Sequence, residues 1–220
     1  MQAAFAAAVD PIFLATLQLE SRIEQNAKLI VSDERATLVR RIDEAEAMLG
    51  NNIEWQAAKY ALCAWIDDKL IQAPWLGKKA WSENCLEVKY FGERRAHEDF
   101  FRRAVDAATF TRKDALEVFY VAVILGFRGI YADPNAGYAN EFKMSLRLPE
   151  TIEAWCRDVA RSLQLRQGRP EIPENVQQRG SARPLAGRNA LVTFSLISTL
   201  FIALATACFL YLFVLNNPNN

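Results

Sequence analysis

Residues 190–215, ALVTFSLISTLFIALATACFLYLFVL, form a run of 26 positions without a charged side chain. All 26 Lys/Arg and all 26 Asp/Glu of the 220-residue chain lie at or before Arg188. About 20 apolar residues in a helix cross a ~30 Å hydrocarbon core. At ~1.5 Å per residue this run is longer than that, so a tilted transmembrane helix is predicted. The hydroxyls of Thr193, Ser195, Ser198, Thr199 and Thr206 can bond back to the helix backbone. A buried helix of a soluble core is the competing reading, but globular helices of this length keep a polar face. A signal peptide is excluded by position, since it would be N-terminal. Arg179, Arg183 and Arg188 precede the run, whereas residues 216–220 carry no Lys or Arg. The positive-inside bias therefore puts the large N-terminal part in the cytoplasm and a short tail outside.

The rest of the chain reads as helix after helix, without an alternating strand pattern. Asp10-Pro11 is a start signal, with Asp as N-cap and Pro at the first helical position, for a helix to about Ile30. Ser32 can cap a second helix with Asp33 and Glu34 in its first turn. In it Leu38, Ile42, Ala45 and Leu49 form an apolar stripe, and Gly50 ends it. Asn51 or Asn52 caps a third helix to about Ile71. A fourth is expected from about Ala80 to Tyr90 and a fifth from Ala96 to Ala108. A sixth opens at a Thr111/Asp114 capping box and contains the run VFYVAVIL. Short helices follow at about 138–147 and from Pro149, the latter with Ile152, Trp155, Val159 and Leu163 on one face. Residues 166–189 change character, with three Pro, three Gly and few apolar side chains, and read as a linker. The expected layout is an all-α domain over 1–165, a linker over 166–189, a transmembrane helix over 190–215 and a tail over 216–220.

Signals for chemistry are sparse. The chain has no phosphate-binding loop, no dinucleotide fingerprint and no nucleophile elbow. His97 is the only histidine and sits in a polar stretch, as a solvated residue at a helix start. Cys63, Cys85, Cys156 and Cys208 form no CxxC pair, so in a reducing cytoplasm they read as apolar residues rather than zinc ligands. No cofactor or metal is expected. Net charge is zero without a long basic run, which gives nucleic-acid binding no electrostatic support. Two stretches stand out. Asp67 and Asp68 lie near the end of the apolar helix containing ALCAWIDDKL, and Asp68 shares a face with Ala57, Ala61 and Ala64. Acids there oppose the helix dipole, and a buried one needs a partner. One reading has one Asp exposed and the other paired with Lys or Arg in the core; the other makes the pair a docking surface. Adjacent helix positions diverge by ~100°, so joint catalysis is disfavoured. The second stretch is Leu125-Gly126-Phe127-Arg128-Gly129-Ile130-Tyr131. Its two glycines indicate a helix C-cap and a tight turn, and Phe127, Arg128 and Tyr131 could anchor a contact on a rigid loop.

ALCAWIDDKLIQAPW, the following Trp81, the pair Phe100-Phe101 and LGFRGIY occur in this order, and together with Asp10-Pro11-Ile12-Phe13 they resemble the DotU/IcmH (TssL) family of type VI and type IVB secretion systems. The resemblance covers about residues 10–165, and a C-terminal anchor fits the family topology. Departures are visible: the family usually has Asp-Glu at Asp67-Asp68, an acidic or amide residue where Arg128 stands, and a Phe-His-containing stretch where Val88-Lys89-Tyr90-Phe91 stand. The resemblance implies a non-enzymatic inner-membrane component whose cytoplasmic domain is two small three-helix bundles forming a hook. It implies an IcmF/TssM-type inner-membrane partner, cytoplasmic baseplate components as further partners, and a tendency to homodimerise. Asp67, Asp68, Phe127, Arg128 and Tyr131 are the expected docking or loop-organising residues. The alternatives are a stabilising component of a type IVB system, an unrelated tail-anchored adaptor, or a membrane-bound enzyme.

Overall fold

The computed structural model describes residues 1–133 and 137–167, and these form one compact unit, Met1–Arg169. The expected linker beyond Gln167, the transmembrane helix and the tail lie outside the described residues. The described residues are helical and contain no strand. The elements are α1 (Ala3–Glu24), α2 (Val31–Leu49), α3 (Ile53–Gln72), α4 (Lys78–Glu83), α5 (Leu86–Phe91), α6 (Ala96–Ala107) and α7 (Asp114–Ile124). A 3-10 turn at Gly129–Tyr131, α8 (Gly137–Ser145) and α9 (Ile152–Gln167) complete them.

The organising element is α3. Trp55, Ala58, Tyr60 to Ile66 and Leu70 are all buried, so the helix has no solvent face over its middle turns. A helix that is apolar all round must be enclosed. Enclosure comes from α1 and α2 on one side, α6 and α7 on another, and the short α4 and α5. Asn52 caps α3 by accepting the Trp55 N–H at 2.9 Å, as expected for Asn at this position. In α2 the stripe Leu38, Ile42 and Ala45 is buried against this core, and Gly50 follows with φ +76°.

Several expected boundaries differ: the first helix ends at Glu24 rather than near Ile30, and the second starts at Val31 with Ile30, not Ser32, at its N-cap. The first helix begins at Ala3 rather than at Asp10-Pro11, and Pro11 lies inside it. The bond that proline forfeits is to the carbonyl of Ala7, an exposed position where water can replace it. Carrying the helix back to Ala3 buries Phe5, Ala8 and Val9. Large apolar side chains are worth ~1.5–3 kcal/mol each, against a proline cost of ~3 kcal/mol, so packing wins. Among the described residues α1 is also the one helix long and apolar enough to cross a membrane. Its stripe from Phe5 through Val9, Ile12, Phe13, Leu19 and Ile23 instead packs into the core. The expected single helix over Ala80 to Tyr90 is two, α4 and α5, separated at Asn84-Cys85. The expected capping box before α7 is replaced: α7 begins at Asp114, whose carboxylate accepts the backbone N–H of Gln2 at 2.7 Å and so ties the start of α1 to the start of α7.

The loop after α7 turns on Gly129. Its φ is +49°, and a Cβ there would lie 2.8 Å from the His97 carbonyl oxygen, 3.0 Å from Phe127 and 3.1 Å from Phe101. Gly129→Ala is expected to lower stability by about 2 kcal/mol through left-handed strain and overpacking, measured by denaturant unfolding followed by circular dichroism. An unchanged midpoint would mean that the loop relaxes freely.

Candidate functional site

The two adjacent aspartates have different fates. Asp67 is buried, and its carboxylate reaches across to the α4–α5 break. Oδ1 accepts the Leu86 N–H at 2.9 Å and the Trp81 indole N–H at 2.9 Å, and Oδ2 accepts the Glu87 N–H at 2.8 Å. It therefore caps the N-terminus of α5 from a neighbouring helix, which is why the chain breaks before Leu86. Its partners are N–H groups, not the Lys or Arg expected for a core aspartate. Burial pushes the carboxyl up to about 6, against three donors that favour the ionised form. Glu87, also buried, continues the polar layer: its Oε1 accepts the Tyr60 hydroxyl at 2.9 Å and the Arg95 N–H at 2.9 Å. Burial, reinforced by this carboxylate, holds the Tyr60 hydroxyl far above its ordinary range. The Arg103 guanidinium stacks 4.0 Å over the Tyr60 ring.

Asp68, one residue on and rotated by ~100°, is half-buried and accepts from Gln72 one turn later. Burial raises its carboxyl, opposed by that hydrogen bond and by Lys69 and Arg128. It stands between two hollows. One, of about 240 Å³, is lined by Glu20, Glu24, Lys69, Gln72 and Gly126, and in it Lys69 pairs with Glu20 at 2.8 Å. The other, of about 210 Å³, is lined by Asp67, Cys85, Glu87, Arg94, His97 and Phe127. The carboxylates of Glu20, Glu24 and Asp68 outnumber the Lys69 ammonium in the first hollow, which gives it a negative balance.

The second stretch organises a loop. Phe127 is buried, with its ring 4.0 Å from that of Phe100 in a stack. Arg128 is exposed but turns back: its Nη1 donates to the Val123 carbonyl at 2.9 Å and the Phe127 carbonyl at 3.0 Å, capping the end of α7. The Tyr131 hydroxyl donates to the Pro149 carbonyl at 2.7 Å, and its ring meets Phe101 edge-on at 5.0 Å. Trp155 of α9 meets the same Phe101 edge-on at 5.4 Å. Asp68 and Arg128 thus present accessible polar atoms, whereas Asp67, Phe127 and Tyr131 hold the scaffold. Sequence reasoning missed Glu20, Glu24 and Glu87, whose neighbours come from distant parts of the chain.

His97 is exposed, with Glu98 3.5 Å from its Nε2 and its ring edge-on to Tyr138. Cys63 and Cys85 are buried and free, and burial holds the Cys63 thiol well above its ordinary range. Among the described residues no group of His, Cys, Asp and Glu could hold a metal ion.

Asp67→Ala is expected to cost about 3 kcal/mol at neutral pH, because it strands three buried N–H groups. Since the folded carboxyl titrates near 6 and a free Asp near 4, folding takes up a proton between those values. The Asp67 contribution is then largest below about pH 4 and declines as pH rises through about 6. Unfolding midpoints of the two proteins should accordingly converge over that interval; a constant gap would refute the assignment.

The family model for the type VI secretion system protein DotU matches residues 4–215 of this chain. Among solved structures, the cytoplasmic domain of TssL from Acinetobacter baumannii aligns with a TM-score of 0.53 at 19% identity, covering 73% of this chain and 98% of that one. SciP/TssL from enteroaggregative Escherichia coli 042 aligns with a TM-score of 0.47 at 19% identity, covering 66% of this chain and 90% of that one. A search of curated proteins returned no match. At such identity the first structural likeness speaks for the all-helical fold. The family match runs over nearly the whole sequence, and the chain belongs to the DotU family of type VI secretion system proteins.

Proposed function

We propose that this protein is a non-catalytic structural component of a type VI secretion inner-membrane complex. Residues 190–215 anchor it in the bacterial inner membrane, and the helical domain lies in the cytoplasm. The observation that carries this reading is the reach of the family match, 4–215, which takes in the helical domain and the uncharged segment together. The positive flank before that segment and the five uncharged residues after it support the orientation. The description of the matched family favours a type VI over a type IVB system and removes the unrelated-adaptor reading. The two-bundle, hook-like layout of the cytoplasmic domain belongs to this reading as what the family resemblance implies.

In this reading the anchor holds the protein beside a large IcmF-type partner. The surface around Asp68 and Arg128 docks a cytoplasmic baseplate component, with Asp67, Phe127 and Tyr131 keeping it in shape. Small residues Ala203, Ala205 and Ala207 allow close helix packing in a homodimer.

The test is purification of the tagged chain from detergent-solubilised membranes of its own host. Recovery of a large IcmF-type protein at comparable stoichiometry is expected; a stable assembly without one would remove the scaffold role. Asp68→Asn keeps the shape and the Gln72 contact while removing the charge. It should leave the unfolding midpoint within about 0.5 kcal/mol of wild type while lowering recovery of the baseplate component. Undiminished recovery would take Asp68 out of the docking surface.

A further inference from the structure

Two loops meet at the end of the domain where α1 stops. Residues 24–30 join α1 to α2, and residues 73–77 join α3 to α4. They pack tightly: a Cβ on Gly77 would lie 2.5 Å from the Trp75 ring and 2.6 Å from Val31 Cγ2. Each loop carries an aliphatic side chain that the core does not use. Leu76 is wholly exposed, and Ile30 is 64% exposed. Between them lies the half-buried indole of Trp75, whose N–H is already satisfied by the Leu70 carbonyl at 2.8 Å. The groove beside it, about 750 Å³, is floored by Ile23, Ala27, Leu29, Ala73 and Pro74. Lys28 and Lys78 line this groove, which no carboxylate lines, and Lys79 adjoins Lys78 in sequence; all three lysines are exposed. Of the acids close by in sequence, Glu34 is engaged by Arg22, and the exposed Glu24 and Asp33 do not line the groove.

We propose that this loop pair is an interfacial membrane contact that rests on an anionic leaflet. Aliphatic tips and an indole enter the headgroup region, and the three lysines meet lipid phosphates. Ile30 and Leu76 project from the surface instead of closing the groove floor, which suits insertion among headgroups better than capture of a peptide. Lys28 and Lys78, with no carboxylate in the groove lining, supply the charge complementarity, and the acidic hollow of Glu20, Glu24 and Asp68 lies on the α1 side of the groove. The contact uses the anchor reading only to bring the patch to a bilayer. The 22 residues between Gln167 and the uncharged segment can extend to ~75 Å. An α1 of 22 residues spans about 33 Å, so a C-terminal anchor does not keep these loops from the membrane.

Of the five tryptophans, Trp55, Trp65, Trp81 and Trp155 are buried and Trp75 is half-exposed. Quenching of tryptophan emission by chain-brominated phosphatidylcholine therefore reports mainly on this tip. The full chain is reconstituted into vesicles of phosphatidylcholine alone, or of phosphatidylcholine with phosphatidylglycerol. Quenching should roughly double when the anionic lipid is present. It should fall back to the phosphatidylcholine level in the Lys28→Glu/Lys78→Glu/Lys79→Glu variant and in Trp75→Phe. Equal quenching in both vesicles, or quenching that survives the triple substitution, overturns the proposal and leaves the patch to a protein partner. Flotation in high salt reports on the anchor separately. A chain that floats with both vesicle types retains the anchor whatever the quenching shows. Flotation that needs phosphatidylglycerol and fails in salt keeps the loop contact and removes the anchor.

Discussion

Everything in the described domain follows from a helix whose middle turns have nowhere to meet water. With Trp55, Tyr60, Trp65 and the small residues Ala58, Ala61 and Ala64 buried around its circumference, α3 is stable only when other helices close over it. The alanines let neighbours approach closely, while the aromatic residues fill the wider gaps. Phe13 of α1 meets Trp65 at 5.0 Å on one side, and Phe91 at the end of α5 meets Tyr60 at 4.9 Å on another. The second aromatic layer, in which Phe100 meets Phe119 edge-on and stacks on Phe127, itself tilted against Phe101, extends this core to the loop after α7 and on to α9.

Enclosing such a helix creates a polar problem at its C-terminal end, where Asp67 enters the core. The solution is to spend the carboxylate on another element. Two backbone N–H groups at the start of α5 and the Trp81 indole converge on it. A charge that would be costly alone becomes the cap of a six-residue helix too short to be stable by itself. Glu87, Tyr60 and Arg103 extend the same logic one layer outward. Asp68, by contrast, looks out onto a hollow that also holds Glu20, Glu24 and the Lys69 ammonium. One helical step of ~100° separates a structural carboxylate from an available one.

The loop carrying Phe127, Arg128 and Tyr131 is rigid for a related reason. Gly129 lies close against the His97 carbonyl, Arg128 covers the carbonyls at the end of α7, and the Tyr131 hydroxyl is fixed to the Pro149 carbonyl. A surface built on such a loop keeps its shape before a partner arrives, which lowers the ordering cost of binding.

Features set by residues within a turn or two of one another were legible in the sequence. The stripe Leu38, Ile42, Ala45, the Asn52 cap, the Gly50 stop and the unusual glycines at 126 and 129 all follow from local periodicity and backbone sterics. So does the uncharged run at 190–215 as a composition, and the order of motifs that pointed to the family was readable in the same way. Tertiary structure decided which aspartate is buried, why α5 starts at Leu86, where α1 begins and that Lys69 belongs to Glu20. The partners concerned stand 14 to 49 positions apart for Asp67–Trp81 and Lys69–Glu20. Sequence periodicity reports on neighbours three and four residues away. It contains no term for the helix that will close over a given face, so these pairings exist only once α3 is enclosed.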